Sequence, residues 1–402
     1  MPTLYTDIDE LFSFEAFHKK AGRHPRPEDL TPLKKQCMLV DKNKIQWIGS
    51  KNKIPKKWKC REVSLKGKKI YPGFVECHTH LVFAGDRTQE FELRQGGASY
   101  QEISAAGGGI ANTVQSTRKA SLSQLVNTGL KRAQIFYDQG VRTLEAKSGY
   151  GLNTNYEIKI LKAQQEIAKK MAKKMKLVST YLGPHSKSPE FSELSDYLEK
   201  ILMHDLVEVQ KKKLAQRVDI FVEKGFFTKD QARKYLTTAK SMGFDLTVHA
   251  EQLSHNGGLQ LAMEMGALSA DHLVHARDQD IVALAKSKTT AVLLPTSDYY
   301  LKIPYPRARK MLDVGARVAL ATDFNPGSSP TQDLAFVGLL ARMEMKMSLA
   351  EVWCAYTVSA AHALGLNHQV GCLLPGFEAR FFTTEAEPSH FFYSVGSHKN
   401  LL

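Results

Sequence analysis

The sequence predicts a (β/α)8 barrel, and three observations support this fold class. From residue 69 onward, short β-rich runs alternate with stretches that have a helical pattern of apolar residues. Eight such strand–helix units follow one another along the chain. Each strand is rich in apolar residues, as is typical of parallel strands that helices cover on both faces. A doubly wound parallel sheet is the alternative arrangement of the same elements.

The candidate strands are separated by helical segments with recognisable ends. The strands are FVECHTH (74–80), VRTLEAK (141–147), KLVSTYL (176–182), VDIFVEK (218–224), DLTVHAE (245–251), ALSADHL (267–273), TTAVLLPT (289–296) and RVALATDF (317–324). Helical patterns cover residues 155–175, 228–243 and 305–315, among others. Some of these segments begin at Thr or Asn and some close on Gly, which are typical residues at the two ends of a helix.

The two ends of the chain differ from the middle and predict a small β domain. Residues 1–68 contain the strand-like pieces QCMLVD, KIQWIG and REVSLKG. After helices that end near residue 364, the tail GCLLPGFEARFFTTEAEPSHFFYSV again resembles short strands. We therefore expect residues 1–68 and 366–402 to build one small β domain beside a barrel formed by residues 69–365.

The composition is that of an ordinary globular protein, with 402 residues, 43% of them hydrophobic and 24% charged. No stretch approaches about 18 uninterrupted apolar residues, so no membrane partner or membrane-spanning helix is expected. The N-terminal MPTLYTDIDELF lacks the basic and apolar regions of a signal peptide. Five cysteines without a CxxC pair are typical of reduced thiols, and we expect a cytoplasmic protein.

The net charge of +14 raises the question of nucleic-acid binding. The charge comes from lysine clusters at 51–61, 66–69, 168–176 and 211–213, and the last two fall in predicted helices, where lysines form a solvated outer face. No aromatic or arginine platform is interleaved with these lysines, as RNA and single-strand binders usually show. We therefore expect no nucleic-acid partner, and instead a protein that attracts small anionic molecules.

Polar side chains fall at the C-terminal ends of the candidate strands, where (β/α)8 barrels carry their active sites. Six of the eight strand ends bear a histidine, a carboxylate or a lysine. In chain order these residues are His78, His80, Lys147, His185, His249, His272 and Asp323. Random placement would rarely produce this pattern, so the sequence predicts a functional site at the barrel mouth.

His78 and His80 are two positions apart on a strand, so their side chains point to the same face. Two adjacent imidazoles in a core are costly unless something binds them, and a divalent metal is the obvious candidate. Together with His249 and Asp323 they offer three imidazoles and one carboxylate, which suit zinc or ferrous iron. Taken singly, each residue could instead be a hydrogen-bonded core histidine or a helix cap.

The remaining polar groups at the mouth would serve the substrate. His272 could exchange protons near a metal-activated water, or else hydrogen-bond to a metal ligand. Arg87, just after the first strand, is the best candidate to pair with a substrate carboxylate, because its planar guanidinium matches that geometry. Tyr100 and Tyr150 offer hydroxyl groups, although loop tyrosines more often serve packing.

Seven segments carry a resemblance to a known family. In chain order they are PGFVECHTHLVFAGDRTQEFELR, GASYQEISAAGGGI, KSGYG, LGPH, HAEQLS, GALSADHL and ATDFNPGSSPT. Over residues 72–365 this series resembles the imidazolonepropionases of the amidohydrolase superfamily. The HxH pair with a distant His and Asp marks only the superfamily, whereas GDR–EFELR, KSGYG and HAEQ are far more specific to the family.

The resemblance implies the third step of histidine degradation, in which the ring of 4-imidazolone-5-propanoate is hydrolysed to N-formimidoyl-L-glutamate. It also implies one zinc or iron ion per chain, and a barrel joined to a small β-sandwich built from both chain ends. The residues that resemble the metal ligands are His78, His80, His249 and Asp323. Those that resemble the substrate-binding positions are Arg87, Tyr100, Tyr150, His185, Gln252, Asn325, Gly327 and Ser328.

The chemistry that the resemblance implies suits these residues. A water on the metal attacks the ring carbonyl, His272 or Asp323 handles its proton, and Arg87 binds the propionate and orients the ring. Some relatives in the superfamily use a modified lysine to bridge two metals. Because Lys147 belongs to the KSGYG segment, we expect a single metal here.

Three other functions remain open. Another cyclic-amide hydrolase or a deaminase of the superfamily would share the metal ligands, although Arg87 with Tyr150 and His185 favours a substrate that bears a carboxylate. A metal-dependent barrel nuclease would explain the HxH pair and the positive charge, but a long N-terminal segment precedes the pair here. A metal-binding protein without catalysis is the third. The sequence is compatible with a homodimer and leaves open whether Glu251 or Gln252 faces the substrate.

Overall fold

The strands form two separate sheets in a computed structural model that describes residues 1–54, 58–97 and 108–402. The first five are β1 (Thr3–Leu11), β2 (Leu33–Asp41), β3 (Lys44–Gly49), β4 (Arg61–Ser64) and β5 (Lys69–Pro72). They are followed by β6 (Phe74–Glu76), β7 (Val141–Lys147), β8 (Lys176–Tyr181), β9 (Arg217–Val218), β10 (Phe221–Val222), β11 (Asp245–Ala250), β12 (Ser269–His272), β13 (Thr290–Leu293) and β14 (Val318–Leu320). The last strand is β15 (Phe381–Thr384).

The larger sheet is a parallel barrel, in the order β6, β7, β8, β9, β11, β12, β13, β14. β10 continues the path of β9, and both pair with β11. The barrel closes just beyond the strand ends, where the His80 amide donates to the Phe324 carbonyl at 2.8 Å and the Asp323 amide donates to the His78 carbonyl at 3.1 Å. This closure confirms the predicted (β/α)8 barrel, because a doubly wound sheet is open.

All eight predicted barrel strands are present, although most are shorter than predicted and the fourth is split into β9 and β10. β6 ends at Glu76, so His78 and His80 lie just past it, on either side of a parallel bridge between Thr79 and Phe324. The imidazoles of His78 and His80 nevertheless reach the same cluster of side chains, as the spacing of the two residues predicted.

Helices connect the strands and cover the barrel. The α-helices span Glu15–Lys19, Thr88–Gln95, Ile110–Lys119, Leu122–Asp138, Thr154–Met171, Leu194–Tyr197, Met203–Lys211, Lys229–Ser241, Gly258–Met265, Asp278–Lys286, Pro295–Leu301, Ala308–Asp313, Leu334–Met343, Leu349–Cys354, Ala360–Ala363 and His398–Leu401. Single turns of π-helix cover Leu198–Leu202 and Ala355–Ser359, and 3₁₀ turns cover Pro27–Leu30, Lys51–Lys53, Gly183–His185 and Pro388–His390. Thr228 caps the helix that follows it, which confirms that predicted start, whereas the helix predicted from residue 155 begins at Thr154, with Asn153 as its cap. No helix in the described part of the chain is long and apolar enough to cross a membrane.

The smaller sheet is built from both ends of the chain. β15 pairs antiparallel with β5, which lies beside β1, and β1 in turn pairs with β2 and β4. This sheet fits the small sandwich expected from the sequence. The tail forms only one of the short strands predicted for it, since turns and the Pro388–His390 helix occupy the rest. The predicted domain limits, 1–68, 69–365 and 366–402, stay a prediction.

Aromatic side chains fill the end of the barrel where the strands begin. Phe74, the first residue of β6, stacks on the buried ring of His398, with centroids 5.3 Å apart. Trp353 is fully buried and lies 5.1 Å from Phe74 and 5.0 Å from Phe391. The C-terminal segment therefore packs against the barrel at the end opposite the predicted site.

Candidate metal centre and active site

A cavity of about 390 Å³ opens at the C-terminal ends of the barrel strands. The predicted site residues that line it are His80, Arg87, Tyr150, His185, His249, Gln252, His272, Asp323, Asn325, Gly327 and Ser328. His78 is fully buried and lies behind this lining. Tyr100, the remaining predicted site residue, lies outside the described residues.

Three histidines and one aspartate form a compact cluster at the base of the cavity. Nitrogen atoms of His78, His80 and His249 all lie within 4.8 Å of one another. Asp323 Oδ1 lies 3.4 Å from His78 Nε2 and 3.6 Å from His80 Nε2. His78 Nε2 is buried and has no hydrogen-bond partner in the described part of the chain. A buried nitrogen of this kind needs a partner, and a divalent ion among these four residues would supply one.

Two buried aspartates contact the far sides of the histidine rings. Asp271 Oδ2 lies 2.6 Å from His78 Nδ1, and Asp219 Oδ2 lies 3.0 Å from His249 Nδ1. A carboxylate at Nδ1 stabilises the tautomer that carries its proton there, which leaves Nε2 free to bind a metal. Sequence analysis missed both aspartates, although each interrupts an apolar strand candidate, which was the available signal.

Burial largely determines the protonation of the cluster. It is the main reason why the pKa values of His78, His80 and His272 lie well below the usual value, so these imidazoles are neutral at pH 7. Burial also raises the pKa of Asp323 to about 7. For His249, burial would lower the pKa, but the charge of Asp219 raises it above its usual value. Neutral imidazoles are the form that binds metal.

The backbone is strained at two of the polar residues. His272 has φ of 77° and Asp323 has φ of 51°, both in the left-handed region that non-glycine residues rarely adopt. Such conformations persist where the surrounding structure enforces them, and they cluster at functional sites.

Two arginine side chains, Arg87 and Arg94, also line the cavity. Arg87 Nε donates to Glu90 Oε2 at 2.7 Å, and Asn112 donates to Glu90 Oε1 at 3.3 Å. Arg94 also lines the cavity and contacts the carbonyl of Gly327 at 3.4 Å. Glu90 and Arg94 were missed as site residues, although both lie in the EFELR segment. The pairing with Glu90 holds the guanidinium of Arg87 at the cavity wall.

The loop after β14 is held by Asn325. Its Oδ1 accepts hydrogen bonds from the amides of Gly327 and Ser328, each at 2.8 Å, and its Nδ2 donates to the Asp323 carbonyl at 2.7 Å. The Asn325 side chain is therefore occupied within the loop. Its contacts stabilise the turn that brings Gly327 and Ser328 to the cavity wall.

The KSGYG segment is anchored by a buried carboxylate. Glu157 accepts hydrogen bonds from the amides of Gly149, Gly151 and Leu152 at 2.9, 2.6 and 2.8 Å. His185 Nδ1 lies 3.0 Å from the Gly149 carbonyl. These contacts hold Tyr150 and His185 close to the cluster of three histidines and Asp323. The ring of His185 stacks on that of His80 with centroids 4.9 Å apart.

Gln252, and not Glu251, faces the cavity. Glu251 is fully buried, and its Oε1 accepts hydrogen bonds from the amides of Gly257 and Leu259 at 3.1 and 3.3 Å. The φ of Glu251 is 57°, in the left-handed region that glutamate rarely adopts. The two neighbours therefore point to opposite sides, a choice that the sequence left open.

The sequence comparisons agree on the class of protein. The sequence profile of the amidohydrolase family matches residues 70–397. An imidazolonepropionase from Bdellovibrio bacteriovorus is 49% identical over 98% of this chain and 93% of that protein. An imidazolonepropionase from Bacillus velezensis is 39% identical over 96% of this chain and 90% of that protein.

Solved structures with low sequence identity share the fold. An adenosine deaminase from Xanthomonas campestris with bound zinc superposes with a TM-score of 0.73 at 14% identity, covering 99% of this chain and 90% of that one. A guanine deaminase from E. coli reaches a TM-score of 0.67 at 17% identity, covering 99% of this chain and 92% of that one. At such identities the likeness extends to the fold alone.

Proposed function

The chain belongs to the imidazolonepropionases of the amidohydrolase family, and from this premise we propose how its site acts. The enzyme hydrolyses 4-imidazolone-5-propanoate to N-formimidoyl-L-glutamate in histidine degradation, as relatives 39–49% identical over most of the chain support. We propose that His78, His80, His249 and Asp323 bind one divalent ion, zinc or iron. The observation that carries this assignment is the cluster of buried imidazole nitrogens with Asp323 at 3.4–3.6 Å, at the base of a cavity lined by Arg87.

The donor set fits such an ion. Three imidazoles and one carboxylate are common ligands of catalytic zinc and of non-haem iron. When bound, the ion supplies a Lewis acid that polarises a carbonyl and lowers the pKa of water. The buried carboxylates at His78 and His249 orient the two rings toward it.

Arg87 binds the propionate group of the substrate in this proposal. Glu90 engages its Nε, which leaves the two terminal nitrogens of the guanidinium to face a carboxylate in a bidentate pair. The substrate then lies between a fixed cation and the metal cluster, with the ring carbonyl toward the cluster. Gln252, Tyr150, His185 and the 327–328 loop complete the wall around the ring.

His272 moves the proton. Its imidazole is neutral, lines the cavity, and has an Nδ1 without a hydrogen-bond partner in the described part of the chain. As water adds to the ring carbonyl, one proton passes to His272, with Asp323 as the second candidate acceptor. The carbon–nitrogen bond of the ring then breaks, and the proton goes to the leaving nitrogen. The ring opens to a single product, which carries both the new carboxylate and the formimidoyl group.

The proposal is tested by following the ultraviolet absorbance of freshly generated 4-imidazolone-5-propanoate with metal-loaded protein. We expect the absorbance to be lost and N-formimidoyl-L-glutamate to appear. The His249→Ala variant should lose activity, whereas His204→Ala, which removes an exposed histidine, should not. No turnover by folded, metal-loaded protein would overturn the substrate assignment, and other cyclic amides and nucleobases would then be assayed.

We also propose that the enzyme works in the cytoplasm on a small anionic substrate. The absence of a CxxC pair and the overall positive charge support this assignment. A homodimer stays a prediction, which sedimentation velocity would check.

A further inference from the structure

Lys147 is a buried lysine at the end of β7, with only 1% of its side chain exposed. Its ammonium lies among three buried carboxylates. The Nζ atom is 2.8 Å from Asp219 Oδ2, 3.1 Å from Glu145 Oε1 and 3.7 Å from Asp271 Oδ2. A buried ammonium is stable only when it is paired in this way.

Two of these carboxylates are the ones that contact the histidines of the proposed metal site. The Asp219 oxygen that pairs with Lys147 is also 3.0 Å from His249 Nδ1. The Asp271 oxygen that faces Lys147 is also 2.6 Å from His78 Nδ1. One ammonium therefore stands behind two of the three histidines, on the side of their rings away from Nε2.

The carboxylates need this cation in order to keep their orientation. Asp219, Asp271 and Glu145 are all fully buried, and three such carboxylates would repel one another without a positive charge between them. Oxygen atoms of Asp219 and Asp271 and a nitrogen of His249 lie within 4.8 Å of one another, an arrangement that suits a cation. The Lys147 ammonium is the cation that this part of the structure contains.

We propose that Lys147 is a positioning residue for the metal centre. Its ammonium holds Asp219 and Asp271 in the orientation that fixes the Nδ1–H tautomers of His249 and His78, so that both rings present Nε2 to the ion. This inference rests on the proposed metal site and adds a residue that does not itself contact metal or substrate. The cavity lining does not include Lys147.

The test measures metal binding directly in the full chain. Zn²⁺ affinity is determined by competition with a chromophoric chelator, and the visible spectrum of the Co²⁺-substituted protein reports the ligand geometry. We expect Lys147→Met to weaken Zn²⁺ binding by about 10-fold or more, and to alter the Co²⁺ spectrum. kcat should fall while KM changes by less than about twofold, because the arginine side of the cavity is untouched.

Matched variants separate positioning from a general loss of structure. Lys159→Met removes a lysine that also donates three hydrogen bonds, to the carbonyls of Thr117, Arg118 and Ala120, and it should leave metal binding unchanged. Lys147→Arg keeps the charge and should recover part of the affinity. If Lys147→Met does not fold, Lys147→Gln, which keeps a donor without the charge, takes its place.

A double-mutant cycle with Asp219→Asn decides whether the lysine acts through the aspartate. We expect the double variant to bind Zn²⁺ about as weakly as the weaker single variant, because both changes break one chain of contacts. Additive losses, or a folded Lys147→Met with unchanged affinity and Co²⁺ spectrum, would overturn the inference. Failure of the unmodified protein to bind one Zn²⁺ would instead overturn the proposed metal site itself.

Discussion

Gly327 lies directly against the guanidinium of Arg87, and a single methyl group there should disturb the anion site. A Cβ built on Gly327 would stand 1.9 Å from Arg87 Nη1 and 2.6 Å from its Cζ. The φ of Gly327 is not in the left-handed region, so alanine would not strain the backbone itself. In Gly327→Ala the guanidinium must therefore move, by about 1.5 Å, to restore ordinary van der Waals contact.

The displacement is large enough to break a bidentate pair with the substrate carboxylate. A hydrogen bond to a charged group contributes about 1.5–3 kcal/mol, and the loss of one such bond lowers kcat/KM by about 10- to 150-fold. Most of this change should appear in KM, because the contact binds the ground state and the transition state alike. The same movement would also lengthen the contact of Arg87 Nε with Glu90. The fall in kcat/KM estimated for the loss of one hydrogen bond is therefore a minimum.

The assay is steady-state hydrolysis of 4-imidazolone-5-propanoate by Gly327→Ala, with the urea unfolding midpoint measured alongside. Gly96→Ala is the matched control. Gly96 follows the same helix as Arg87, has φ of −72°, and a Cβ there would meet nothing closer than 3.4 Å. An unchanged KM in folded Gly327→Ala protein would refute the role of Arg87 as the carboxylate partner.

Three further predictions concern proton transfer, pH and metal. His272→Asn should lower kcat by about 10²- to 10⁴-fold with metal content unchanged, as measured by atomic absorption, since general acid–base groups contribute that much. Burial lowers the pKa of His398 from 6.5 to about 4. Below pH 6.5 the unfolded chain therefore binds a proton at this histidine that the folded protein does not bind, and the free energy of unfolding decreases as the pH is lowered toward 4. Between pH 7 and pH 5, the free energy of unfolding measured in urea should therefore fall by about 2 kcal/mol less in His398→Phe than in the unmodified protein. An equal fall in both proteins would contradict this prediction. Zn²⁺ at about 1,000 times its Kd should raise the free energy of unfolding by about 4 kcal/mol, and by almost nothing in His249→Ala.

The residues at the barrel mouth could be predicted because their positions follow from a local pattern in the sequence. The strand ends are marked by apolar runs that stop at polar residues, and barrel geometry then places those residues in one ring. For this reason the sequence alone predicts that His80, His249, His272 and Asp323 share one mouth, and all four line the same cavity. The shared direction of His78 and His80 follows from the two-residue repeat of extended chain.

The network behind the histidines could not be predicted in the same way. Lys147 lies on β7, Asp219 between β9 and β10, and Asp271 on β12, and the barrel brings the two carboxylates within 4 Å of the ammonium. The orientation of Glu251 depended on a left-handed φ that no propensity favours for glutamate. Strand β1 was missed because acidic residues, such as Asp7 and Asp9, interrupt its apolar pattern.

The aromatic side chains of Phe74, Trp353, Phe391 and His398 pack together at the end of the barrel where the strands begin, opposite the cavity. Because these rings fill the end where the strands begin, the ion and the substrate must share the mouth at the other end. The cluster lies at the base of the cavity, so the substrate covers the ion once it is seated. If the four residues hold the ion as proposed, bound substrate lies between it and the mouth, and we expect a substrate-saturated enzyme to lose its ion to chelators more slowly than the free enzyme.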